Sequence, residues 1–110
     1  MAVEKYRQIV KQIILEKAEQ GVSIKEIETQ AIIDTERDHY LLLHTGWREN
    51  SRTHGCSMHI DIKDGKIWIQ HDGTEVGIAT LLLEQGVPAN DIVLGFHTPF
   101  MRQFTEFAVN

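Results

Sequence analysis

The chain has 110 residues, 42% of them apolar and 25% charged. Those proportions exclude a disordered or collagen-like chain, and the length excludes a two-lobed enzyme. Eleven basic against sixteen acidic residues leave a net charge of −5. DNA-binding proteins that grip phosphates usually carry the opposite sign, because released counterions supply much of their affinity. The single cysteine, Cys56, can form no internal disulfide, so the chain reads as a reduced, cytoplasmic protein. The N-terminus lacks the apolar core of a signal peptide, and no apolar run approaches the roughly 20 residues that span a bilayer. With no repeat and no Pro/Gly-rich linker, residues 1–110 read as one domain.

Residues 2–20 predict an amphipathic helix, with Val3, Tyr6, Ile9, Val10, Ile13 and Ile14 at helical spacing. Gly21 supplies the left-handed stop that helix ends favour. After a polar stretch over 22–29 the period changes. Gln30–Asp34 and His39–Trp47 read as two strands of an antiparallel hairpin, with turn character at Glu36-Arg37-Asp38. The polar run Arg48 to Arg52 predicts a loop.

Met58 to Lys63 alternates strictly, Asp64-Gly65 suits a type I′ turn, and Lys66 to Gln70 alternates again. Counting out from a two-residue turn sets Lys63 opposite Lys66, Ile62 opposite Ile67, Asp61 opposite Trp68, Ile60 opposite Ile69 and His59 opposite Gln70. Four isoleucines then share a core face. The other face gathers His59, Asp61, Lys63, Lys66, Trp68 and Gln70, and a large aromatic among polar groups is its informative feature.

Asp72-Gly73-Thr74-Glu75 fits a capping box, so a second helix is predicted from Asp72 with an apolar stripe of Val76, Ala79, Leu82 and Leu83, widened by Ile78 and Leu81. Gly86 and Pro88 end it. Ile92 to Phe96 lacks alternation, as a strand buried on both faces does. Thr98-Pro99 can open a last helical turn carrying Phe100, Met101 and Phe104. The order gives an α+β fold: N-terminal helix, four-stranded antiparallel meander, helix, fifth strand and short C-terminal helix, with helices packed on one face of the sheet.

No phosphate loop, GxGxxG, HExxH, CxxC or GxSxG motif occurs, so no residue is assigned a catalytic or metal-binding role and no cofactor is implied. Cys56 shows neither the base nor the low-pKa setting that a nucleophile needs. His59 and Asp61 share a strand face, and His71-Asp72 follow on the partner strand. That set could form a metal or acid/base cluster for a small metal-dependent hydrolase. Ordinary sheet hydrogen bonding, with Asp72 as a helix cap, accounts for the same residues. Trp68 with Lys63, Lys66 and His59, joined by Trp47 and Arg52, combines aromatic and basic groups. With Asp61, Gln70 and His71 these make the candidate binding surface. Such a surface suits a protein partner or, against the acidic net charge, nucleic acid. Cover of Trp68 by the chain's own first helix and cover by another chain both remain open, and a two-fold self-contact fits the second.

Asp34-Thr35-Glu36-Arg37-Asp38-His39-Tyr40, Gly46-Trp47, His54-Gly55-Cys56, His59-Ile60-Asp61-Ile62 and the block from Gly65 to Glu75 resemble the XisI family. So do Gly86-Val87-Pro88, the run Asp91 to His97, Pro99, Arg102 and Phe107-Ala108-Val109. Members are named fdxN element excision controlling factors and are associated with nitrogen-fixing cyanobacteria. The resemblance implies a non-catalytic accessory role in programmed DNA excision by a site-specific recombinase. It also implies an XisH-like protein partner. Direct DNA binding in recombination is the alternative.

Overall fold

The computed structural model describes residues 2–22 and 24–110. Met1 and Ser23, the latter within the polar stretch 22–29, lie outside the described residues. Helix α1 runs Ala2–Gln20, followed by strands β1 (Ile27–Asp34), β2 (His39–Arg48), β3 (Ser51–Lys63) and β4 (Lys66–Asp72). Helix α2 (Ile78–Glu84), a 3-10 turn at Ala89–Asp91, strand β5 (Ile92–Leu94) and helix α3 (Pro99–Arg102) complete the chain. The five strands form one sheet in chain order, antiparallel except for the parallel pair β4–β5. This is the expected α+β architecture. Among the described residues no helix is long and apolar enough to cross a membrane.

The core lies between one sheet face and two helices. Ile60, Ile67 and Ile69 are wholly buried, and Ile62 nearly so, against Val10 and Ile14 of α1 and Ile78 and Leu82 of α2. Each such side chain contributes on the order of 2 kcal/mol through apolar burial. Two polar links fix α1 over the sheet. The Tyr6 hydroxyl donates to Asp91, and Arg7 donates to Asp38 beside the β1–β2 turn. At the far edge, Ala108 N–H donates to Ile92 O at 2.9 Å and pairs with Val93, so the C-terminal residues cover β5.

Several local expectations need correction. Strand β1 begins at Ile27, inside the stretch read as polar, because its edge position leaves little apolar patterning to detect. Residues 48–52 are not a loop: Arg48 pairs with Ser51 and Trp47 with Arg52 around a tight turn, where Glu49 takes φ 57°. The strand ends there are exposed, so nothing selects apolar residues. The second helix starts at Ile78, not Asp72, which ends β4. Asp72 still caps it, but from a distance: one carboxylate oxygen accepts from Ile78 N at 2.7 Å and the other from Thr74 N at 2.9 Å. Glu75 takes no part in that cap. The buried stripe is therefore Ile78 and Leu82, while Val76 and Leu83 are exposed. Strand β5 stops at Leu94, and Phe96 lies out on the surface.

The β3–β4 register holds from Lys63–Lys66 to Ile60–Ile69 and then shifts, so that His59 faces His71 rather than Gln70. Gln70 is the extra residue of a β-bulge. A second bulge places Ser57 as the extra residue of β3 opposite Leu42 and Leu43 of β2. Bulges re-aim side chains, and these two determine what meets on the outer face.

Candidate functional site

The face opposite the isoleucines carries the chemistry. Asp61 lies near the C-terminal end of β3, directly across from His39 on β2 and Trp68 on β4. His59 lies two residues earlier on the same strand and therefore on the same face. His39 Nδ1 and His59 Nε2 both approach Asp61 Oδ1, at 2.8 and 2.9 Å. The bulge turns Gln70 inward, and its amide donates to Asp61 Oδ2 at 3.2 Å. Asp61 is only 7% exposed. Burial pushes its carboxyl up, but the hydrogen bond from His39, the charge of His59 and the bond from Gln70 together hold it below the usual Asp range. The same Asp61 hydrogen bond raises the His39 imidazole above its ordinary value.

Trp68 is partly buried and is covered by cations rather than by α1. The Lys63 ammonium lies 4.1 Å from its ring centroid and the Arg102 guanidinium 5.2 Å. Arg102 Nε also donates to the carbonyls of His97 and Leu94, at 3.1 and 3.3 Å, and Nη1 donates to Val109 O at 3.3 Å. It therefore pins the C-terminal segment beside the indole. Lys66 Nζ reaches Asn110 O at 2.6 Å. Trp47 and Arg52 sit apart, at the tip of the β2–β3 hairpin, with the guanidinium 5.5 Å from the indole. Trp47 is 53% exposed.

The nine residues proposed from sequence thus divide. Asp61, His59, Lys63, Lys66, Trp68 and Gln70 share one face, Trp47 and Arg52 form a separate pair, and His71 is exposed beyond the bulge. His39 and Arg102 join the face without having been singled out for it. The Ser57 bulge supplies a second polar link, with His44 Nε2 2.8 Å from Ser57 Oγ and Nδ1 3.0 Å from Thr29 Oγ1. That chain ties β1, β2 and β3 together. The different settings of the two indoles have a measurable consequence. Acrylamide should quench a Trp68→Phe variant, which retains Trp47, more strongly than a Trp47→Phe variant. Equal quenching would contradict the cover described for Trp68.

The comparisons bear on the whole of this arrangement. The family model described as "XisI protein" matches residues 1–109. The chain belongs to the XisI family. A crystal structure of a XisI-like protein from Anabaena variabilis ATCC 29413 is similar at 43% identity and a TM-score of 0.93, with 100% of each chain covered. The crystal structure of fdxN element excision controlling factor XisI from the same organism is 36% identical, with a TM-score of 0.88 and again 100% of each chain covered. No match is found among curated proteins. The XisI fold therefore extends over both the His39–His59–Asp61 cluster and the C-terminal segment held by Arg102.

Proposed function

We propose that this XisI family member is an accessory factor controlling the excision of a DNA element, and that it acts by binding a protein partner of the XisH-like kind. The observation that supports protein binding is the apolar surface of the C-terminal segment. Phe96, Phe100, Met101 and Phe104 follow one another in a short stretch around α3, and all are exposed, Phe100 and Phe104 by about two-thirds of their surface. Phe100 and Phe104 meet edge to face with ring centroids 5.3 Å apart. Clustered aromatic anchors of this kind provide most of the energy at protein interfaces. The segment is also prepared for docking: Thr98 Oγ1 accepts from Met101 N at 3.2 Å and Arg102 clasps the chain on either side, so ordering costs on binding are small. The net charge of −5 favours a protein over the phosphate backbone of DNA.

The test is co-purification with a co-encoded XisH-like protein. The double variant Phe100→Ser/Phe104→Ser should lose affinity by roughly 30-fold or more, as removal of a central aromatic anchor does, while its thermal melting stays close to that of the parent. An unchanged affinity would refute the docking surface. Absence of any association by the parent chain, together with salt-sensitive DNA binding, would replace this reading with direct DNA recognition.

A further inference from the structure

We propose that His39 Nδ1, His59 Nε2 and Asp61 Oδ1 form a binding site for a divalent transition-metal ion of the zinc type. The three ligand atoms lie within 4.8 Å of one another. Two imidazole nitrogens approach one carboxylate oxygen at 2.8 and 2.9 Å, and two histidines with one carboxylate are a ligand set that open zinc sites use. The framework that positions them is rigid. His39 and Asp61 are direct cross-strand partners, and His59 is fixed two residues away by the same ladder. The ion would lie against the sheet rather than in a loop.

The donor set selects the ion. Two ring nitrogens and one carboxylate suit zinc, cobalt or nickel, whereas magnesium and calcium prefer all-oxygen shells. Zinc bound at about 2.0–2.1 Å in a tetrahedral site holds its ligands a little over 3 Å apart. The two observed separations from the Asp61 oxygen, 2.8 and 2.9 Å, therefore need to open by only a few tenths of an ångström. The His39 side chain is half exposed and the His59 side chain one-third exposed, which leaves both free to make that adjustment. Gln70 already supplies the outer contact that metal-bound carboxylates usually have, by holding Asp61 Oδ2. Burial at Asp61 and exposure at His39 leave the fourth position open to water. The nearest fixed cation on the same strand, Lys63, is drawn over the Trp68 ring, and the indole electrons attract its charge there.

This site uses none of the residues of the docking surface, so the two proposals stand or fall separately. The experiment titrates the full chain, stripped with chelator, with Zn²⁺ against a chromophoric competitor. A parallel titration with Co²⁺ follows the visible d–d bands of the bound ion and the quenching of Trp68, the cross-strand neighbour of Asp61, in a Trp47→Phe background. The expected result is one ion per chain, Co²⁺ bands of low-symmetry coordination, and loss of affinity by at least ~100-fold in His39→Ala and in His59→Ala, beyond the usual cost of losing an outer contact. Melting of the metal-free variants separates lost ligation from lost folding. His39, at the surface, should melt like the parent when replaced. Failure of the parent to bind Zn²⁺ stoichiometrically would overturn the proposal. So would binding that survives in the His39→Ala/His59→Ala double variant, since the other histidines would then be responsible.

Discussion

Gly46→Ala should lower the stability of the domain by about 3 kcal/mol, a large share of the roughly 5–15 kcal/mol available to a domain. The added Cβ would sit 2.2 Å from the carbonyl oxygen of Glu26 and 2.9 Å from Ile27 Cα. Both are backbone atoms, so no side chain can swing aside. Gly46 is paired with Ile27, the first rung of β1, and the N–H of Ile27 is also held by the carbonyl of Ile24 at 3.1 Å. Relief requires that end of β1 to be prised from the sheet, with loss of its rung and of Ile27's packing. Gly55→Ala provides the control. It lies in β3 with open space where its Cβ would go, and should change stability by less than about 0.5 kcal/mol. Urea denaturation of both variants checks the pair. A Gly46→Ala protein as stable as the Gly55→Ala protein would show that the β1–β2 approach is looser than the structure has it.

The same two bulges explain how far the sequence could be read. Alternation about Asp64-Gly65 was enough to place the four isoleucines in the core and Asp61 opposite Trp68, because one face is buried and a slip would expose it. Gln70 was placed on the correct face but opposite His59, because a bulge adds a residue without altering the alternation that precedes it, and His71 takes that position instead. His39 escaped twice. Residues 48–52 are polar on both faces and gave no strand signal. Even with the tight turn at Glu49 recognised, an unbulged ladder would have set His39 opposite Ile60. Only the extra Ser57 brings it opposite Asp61. The helix at 78–84 was misplaced for a related reason. Asp72 carries out the capping chemistry its sequence suggests, but Gly77, at φ 89°, lets the chain turn before the helix begins. The docking segment was legible as Phe100, Met101 and Phe104 on a short helix. Their exposure was not, since an apolar side chain in sequence looks the same whether a helix covers it or solvent does.

Asp38→Ala should cost about 3 kcal/mol, and Asp38→Asn roughly half as much, at neutral pH. Asp38 is 8% exposed and adopts φ 60°, a left-handed conformation that Asp and Asn tolerate better than Ala. Its carboxylate receives the Arg7 guanidinium as a fork, Nε to Oδ1 at 2.8 Å and Nη2 to Oδ2 at 3.0 Å. The hydroxyl of the fully buried Tyr40 donates to Oδ1 at 2.9 Å. Truncation to Ala strands that hydroxyl and releases α1 from the β1–β2 turn. Asparagine keeps an acceptor and the backbone conformation but gives up the charge that the fork matches.

The pH dependence separates the charge from the shape. The Arg7 hydrogen bonds, helped by Tyr40, hold the Asp38 carboxyl below its ordinary value against the opposing effect of burial. The folded chain therefore takes up this proton less readily than the unfolded chain. The resulting stabilisation is fully present above the ordinary Asp range near pH ~4, and it disappears as the pH falls from there through the lower folded value. Asp34 and Asp61 are shifted in the same direction, so acid alone destabilises parent and variant alike. The difference between them isolates Asp38. The stability gap between the parent and Asp38→Asn should be constant from neutral pH down to about 5 and should narrow steadily below about 4. Chemical denaturation at a series of pH values measures it. A gap that stays the same width throughout the acid range would mean that shape, and not the Arg7 ion pair, holds α1 to the turn.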